Sequence, residues 1–207
     1  MKTEVIKLNK QKPDKTILKK AAKIIKEGGL VAFPTETVYG IAVDFMNKKA
    51  IQKLYRVKKR PKDKPLTVHI SKFDELAEFD CEMNLFSKTL IEKFWPGPLT
   101  LVFKAKFGEK IGIRMPSSKI ALEFISLCKT SIVAPSANIS GNCPPREAKD
   151  VLKDLDGKID LLLDGGETEE DAESTVIDVS AFPCRILRRG AIKPGRIADV
   201  GRRLQHF

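Results

Sequence analysis

DKTILKKAAKIIKEGGLVAFPTETVYG, residues 14–40, carries a helix, a strand and a polar turn in direct succession. Ile17, Leu18, Ala21, Ala22 and Ile25 recur at the three-to-four spacing that gathers apolar side chains on one helical face. Asp14 stands at the N-cap position and Gly28-Gly29 stops the helix. Leu30 to Phe33 then form a short apolar run that reads as a buried strand, broken by Pro34. Such an order predicts an α/β domain.

The rest of the chain repeats these signals without strict alternation. Ile51, Leu54 and Tyr55 share a face of a helix over about 48–57, and LTVHI at 66–70 has strand character. Two helical stretches near 73–79 and 84–94 precede the turn Trp95-Pro96-Gly97-Pro98. LTLVFKA at 99–105 and Gly112 to Met115 read as strands, the second ended by Pro116. Ser117 or Ser118 caps a helix holding Ile120, Leu122, Phe124, Ile125 and Leu127. SIVAPSA at 131–137 is a strand running into a polar turn, and a helix is expected around 146–154. Three β-rich stretches follow, DLLLDGG, STVIDVS and CRILRRG. The expectation is one domain over 1–207, a twisted mixed sheet with flanking helices, and no appended C-terminal domain.

The 207 residues are 42% hydrophobic and 31% charged, which supports a folded core and excludes wholesale disorder. The formal net charge of +11 suits anionic partners such as nucleotides or nucleic acid, although lysines on solvated helix faces would produce the same excess. MKTEVIKLNKQK lacks the apolar core of a signal peptide, and no run reaches the roughly 18 apolar residues of a membrane span. No membrane partner is expected. Cys81, Cys128, Cys143 and Cys184 are scattered without a CxxC pair, and His69 and His206 are the chain's histidines. That set argues against zinc and against a disulfide framework, and the expected compartment is cytoplasmic.

Chemistry concentrates in a few turns. In Pro34-Thr35-Glu36-Thr37-Val38-Tyr39-Gly40, hydroxyls and a carboxylate crowd a strand end, where they either cap the backbone or hold a polar ligand. Between Arg56 and Pro65, five of the seven residues from 58 to 64 are basic. A polyphosphate or a nucleic-acid backbone would relieve their mutual repulsion, as would solvent. In APSANISG, 134–141, Ser136 and Asn138 have the i, i+2 spacing that puts both on one side if the strand continues. Arg114 ends its strand as a candidate carboxylate partner. Ser174 and Arg188 lie on two expected neighbouring strands as candidate ligand and phosphate contacts. No GxxxxGK[ST] or GxGxxG occurs, and two histidines leave no Ser-His-Asp or Cys-His set, so covalent catalysis is not expected.

Taken together, PTETVYG at 34–40, KKRPKDKPL at 58–66 with His69, IRMP at 113–116, APSANISG, STVID at 174–178 and LRRG at 187–190 resemble the YrdC-like family, over about residues 15–195. The resemblance implies an open, twisted, mostly parallel sheet with flanking helices and a concave basic cavity. It implies synthesis of threonylcarbamoyl-AMP from L-threonine, bicarbonate and ATP, a nucleotidyl transfer releasing pyrophosphate, with Mg²⁺ accompanying the ATP. A partner transferase would then modify the adenosine beside the anticodon of tRNA. Matched residue by residue, Lys58 and Arg60 fall to the ATP phosphates and to catalysis, with Lys64 a further phosphate contact. Ser136, Asn138 and Arg188 fall to the nucleotide. Thr35, His69, Arg114 and Ser174 fall around threonine, with Arg114 on its carboxylate. After SANxSG the family has a Ser-Pro-Thr stretch, whereas this chain reads Asn142-Cys143-Pro144-Pro145-Arg146. If a Thr there touches nucleotide, Arg146 either replaces that ATP contact or leaves it to another residue.

Two rival readings follow from the same residues. The charge and the 58–64 loop also suit a non-enzymatic module for tRNA or double-stranded RNA, although aromatics at 7% supply few stacking surfaces. A carbamoyl-adenylate synthase of the hydrogenase-maturation type would need zinc-finger cysteines that this sequence lacks.

Overall fold

The computed structural model describes residues 2–105 and 109–204. His206 lies outside the described residues. β1 (Glu4–Lys7) precedes α1 (Lys15–Lys26), β2 (Val31–Pro34), β3 (Tyr39–Asp44), α2 (Lys48–Val57) and β4 (Thr67–His69). A 3₁₀ helix (Phe73–Phe79) leads to α3 (Leu85–Phe94), β5 (Leu99–Lys104), β6 (Lys110–Arg114) and α4 (Lys119–Cys128). Then come β7 (Ile132–Val133), α5 (Ala148–Leu155), β8 (Leu161–Asp164), β9 (Thr175–Asp178), β10 (Arg185–Arg188) and α6 (Pro194–Leu204).

The local signals act as their chemistry requires. Asp14 accepts the Thr16 N–H at the start of α1, and Gly28 ends the turn after it at φ +83°. Asn47, Asn84 and Ser118 cap α2, α3 and α4 through side-chain oxygens. Pro34 does not break its strand as expected. It is the last residue of β2 and pairs with Tyr39 in a hairpin, an end position where its missing N–H costs no ladder bond. β1, β3 and α6 add to the elements read from sequence.

The strands form one sheet in the order β1-β8-β2-β3-β7-β4-β6-β5-β9-β10. It is mixed as expected, but four of its nine pairings are parallel and five antiparallel, so it is not mostly parallel. The excess comes from the β2–β3 hairpin and from β7, which runs antiparallel to both neighbours.

Side-chain alternation builds two apolar layers. On one face Ala32, Ile41, Val68, Leu101 and Ile113 pack against α2, α3, α5 and α6. On the other, Val31, Phe33, Ala42, Leu161 and Leu163 meet Leu18 and Ile25 of α1 and Phe124 of α4. These two helices cover the half of the sheet near β8, β2 and β3. Over β4, β6 and β5 the alternate positions on that face are Thr67, His69, Arg114 and Thr100, and they line a cavity instead.

Close packing at the rim holds the β9 entry in place. A Cβ on Gly190 would sit 2.3 Å from the Glu173 carbonyl and 2.6 Å from both Ser174 C and Thr175 N. All three are backbone atoms, so no rotamer relieves the clash. Gly190→Ala is expected to destabilise the fold by about 1–3 kcal/mol or more, read by urea denaturation.

Candidate active site

The cavity measures about 390 Å³. It gathers Thr35, Lys58, Arg60, Lys64, His69, Arg114, Ser136, Asn138, Ser174 and Arg188, residues separated by up to most of the chain length. Glu173 is the single carboxylate residue among the described lining, against five Lys and Arg residues.

One wall comes from the α2 C-terminus and the turn after β7. Lys58 is 1% exposed, and its Nζ donates to the carbonyls of Ser136 and Asn138. Its own carbonyl accepts the Ser140 N–H at 2.8 Å, so the basic loop and the polar turn are tied twice. Burial, and then the neighbouring Arg60, pull the Lys58 ammonium down to about 7. Arg60 donates from Nη2 to the Pro65 carbonyl at 2.8 Å and from Nε to Lys64 at 3.3 Å, which folds the loop around its guanidinium. Ser136 and Asn138 both reach the cavity, but not along a continuing strand. β7 ends at Val133, Ser136 forms an isolated bridge to Gly40, and Asn138 Nδ2 turns to the carbonyls of Ile139 and Asn142. Asn138 Oδ1 and Ser140 Oγ are buried without a partner among the described residues.

The opposite wall comes from the sheet. Arg114 is 4% exposed and donates to Glu36 Oε1 at 2.7 Å and to the Gly97 carbonyl at 3.3 Å. Glu36 is 4% exposed, and its Oε2 has no partner among the described residues. His69 lies one pairing away, opposite Arg114 in the β4–β6 ladder. Burial, and then the charge of Arg114, push its imidazole down to about 3, so it is a neutral ring. Its Nδ1 lies 3.3 Å from the Thr67 carbonyl. Thr35 is partly committed to its own turn, donating to the Val38 carbonyl at 2.6 Å and accepting two backbone N–H groups.

Where the two walls meet, Ser174 Oγ lies 2.9 Å from Thr100 Oγ1 and accepts from Arg188 Nη2 at 2.9 Å. Arg188 also donates to Glu173 at 2.7 Å and to the Ser174 carbonyl at 3.0 Å. Burial lowers the Arg188 pKa, which Glu173 opposes.

Arg146 stands apart from the expected set. It does not line the cavity; its guanidinium is drawn to Asp171 at 2.6 Å and Glu167 at 3.1 Å. The turn into α5 aims it at this acidic loop. The sequence reading missed Glu36 as the partner of Arg114, and Thr100 and Thr67 as cavity walls. PTETVYG showed a Glu beside the threonines. That it meets an arginine 78 positions away is visible only in the fold.

A profile of the Sua5/YciO/YrdC family, described as telomere recombination, matches residues 23–190. The chain belongs to this family. It is 42% identical over 189 residues to a threonylcarbamoyl-AMP synthase of Pyrococcus abyssi, covering 87% of this chain and 56% of that protein. It therefore spans little more than half the length of that relative. A putative threonylcarbamoyl-AMP synthase of Methanocaldococcus jannaschii is 31% identical, covering 96% of this chain and 98% of its own length. The crystal structure of P. abyssi Sua5 complexed with L-threonine superposes with a TM-score of 0.91 at 39% identity, over 96% of this chain and 61% of that one. The chain thus shares the fold of P. abyssi Sua5 over nearly its whole length.

In this family member the Glu36–Arg114 pair is buried on both sides. Removing one partner strands the other charge. Glu36→Leu is expected to destabilise the protein by about 3–5 kcal/mol, measured by urea denaturation against the wild type.

Proposed function

We propose that the chain condenses L-threonine, bicarbonate and ATP into threonylcarbamoyl-AMP and pyrophosphate, supplying a transferase that modifies tRNA. The observation that supports this best is one cavity with two unlike walls. One wall carries Arg114, neutral His69, Thr35, Thr100 and Ser174, suited to an amino acid. The other carries Lys58, Arg60, Lys64, Ser136, Asn138 and Arg188, suited to a nucleotide. The P. abyssi Sua5 structure was solved with L-threonine, in agreement with such an amino-acid wall.

The chemistry asks for positioning and charge stabilisation. The threonine amine adds to the carbon of bicarbonate, and loss of water leaves a carbamate. A carbamate oxygen attacks the α-phosphorus of ATP, the bond to the bridging oxygen breaks, and pyrophosphate leaves. No step needs a covalent bond to the protein. Arg114, held by Glu36, anchors the threonine carboxylate and sets the amine towards the nucleotide wall. Arg60 and Lys64 meet the phosphates, and their fixed charges favour the transition state as negative charge moves to the leaving group. Lys58 adds its charge from beneath the Ser136–Asn138 turn and keeps that turn in register.

Among the described residues no cluster of three or more His, Cys, Asp or Glu side chains is placed to hold a metal. We read Mg²⁺ as arriving with the triphosphate; Glu173, the carboxylate of the cavity lining, is already held by Arg188 at 2.7 Å. No helix among the described residues is long and apolar enough to cross a membrane.

Pyrophosphate release should require both L-threonine and bicarbonate, and Arg60→Ala should lower kcat by about 10²–10³-fold. Release indifferent to threonine would point to another acceptor. No release, with salt-sensitive RNA binding, would favour the RNA-binding module.

A phosphate beside Lys58 should restore its proton. With a free-state value of about 7 and a higher bound-state value, nucleotide binding takes up a proton. Affinity should be flat well below pH 7 and fall as pH rises above it. Calorimetry in buffers of different ionisation enthalpy should detect the uptake, and Lys58→Met should abolish it.

A further inference from the structure

Thr100 lies on the amino-acid wall, next to the Ser174–Arg188 contact where that wall meets the nucleotide wall. It is 2% exposed and lines the cavity. In the β5–β6 ladder it pairs directly with Arg114, the residue on the amino-acid side. Its Oγ1 is 2.9 Å from Ser174 Oγ, which accepts from Arg188 Nη2 at 2.9 Å. Arg188 has Nη1 on Glu173 and Nε on the Ser174 carbonyl, so its plane is set by this short segment.

The hydroxyl inventory makes this chain directional. Each hydroxyl has one hydrogen and can also accept. One hydrogen lies between Thr100 Oγ1 and Ser174 Oγ, and it comes from either residue. When Ser174 supplies it, the Thr100 hydrogen is free for an acceptor in the cavity. A ligand oxygen that takes the Thr100 hydrogen therefore requires Ser174 to donate. A donating Ser174 Oγ becomes the stronger acceptor for Arg188, because hydrogen bonds in a chain polarise one another. An empty amino-acid side leaves both arrangements open.

We propose that Thr100 is a positioning residue that couples the two halves of the cavity: an acceptor oxygen of the amino-acid substrate takes its hydrogen and thereby anchors Arg188 for the nucleotide. This rests on the reading of threonine and ATP as ligands of the two walls. Linkage makes the effect reciprocal, so nucleotide must tighten threonine by the same factor that threonine tightens nucleotide.

The test is the ratio of threonine dissociation constants without and with α,β-methylene-ATP, measured by calorimetry. For the wild type the ratio should be about fivefold or more. Thr100→Val keeps the branched shape of the strand residue and removes the hydroxyl, and its ratio should fall to one. Thr100→Ser should restore it. The Arg188 Nε–H resonance should shift when threonine is added to the wild type and stay still in Thr100→Val. If Thr100→Val does not fold, Ser174→Ala removes the other end of the same bond and should abolish the ratio alike. A wild-type ratio of one, or an unchanged ratio in the folded variant, overturns the coupling and leaves the proposed function standing. Failure of the wild type to bind threonine under any condition overturns that function and the coupling with it.

Discussion

A buried ammonium group joins the segments that make this site. Lys58 ends α2, and its side chain runs inward to the carbonyls of Ser136 and Asn138 while its own carbonyl takes the Ser140 N–H. Burying a cation without compensation is costly, and here two carbonyls compensate by direct contact, with the charges of Asp154 and Glu173 assisting. The 58–64 loop and the 134–141 turn are thus held against each other as a unit. The Arg60 guanidinium closes the loop over its own carbonyls, so Lys58 and Arg60 are oriented before any ligand arrives. Pre-oriented charge needs no reorganisation when negative charge shifts, which is the condition for electrostatic catalysis.

The second constraint is the uneven dressing of the sheet. α1 and α4 cover one half of a face, and on the other half the inward positions are Thr67, His69, Thr100 and Arg114. The same strands send Val68, Leu101 and Ile113 into the opposite core. Each strand therefore anchors itself with one side and serves the cavity with the other. Burial has a distinct effect on each polar group there. It keeps His69 neutral, brings Lys58 close to its titration point, and demands a carboxylate beside Arg114, a need that Glu36 meets.

Much of this was legible before the fold was known. The apolar spacing in 14–27 and 48–57 predicts α1 and α2 within a residue or so, because caps and helical periodicity are local. The motif residues of the two walls were also recognisable, and all but Arg146 line the cavity. Strand pairing was less legible. Pro34 read as a breaker, yet it closes a hairpin; the local rule penalises a missing donor without knowing that the position is a ladder end. Arg146 stood in the right motif but faces Asp171 and Glu167, acids that are distant in sequence and close in space.

What the sequence determined by itself was most of the elements, though not β1, β3 or α6, and most of the residues that line the cavity, since periodicity, capping and motif spacing are properties of neighbouring residues. Only the tertiary structure decided which side chains meet. It placed Glu36 on Arg114, Lys58 under the Ser136–Asn138 turn, and Thr100 between Arg114 and Ser174. The physical reason is that such contacts depend on strand order and register, and a shift of one residue would turn every cavity position into the core.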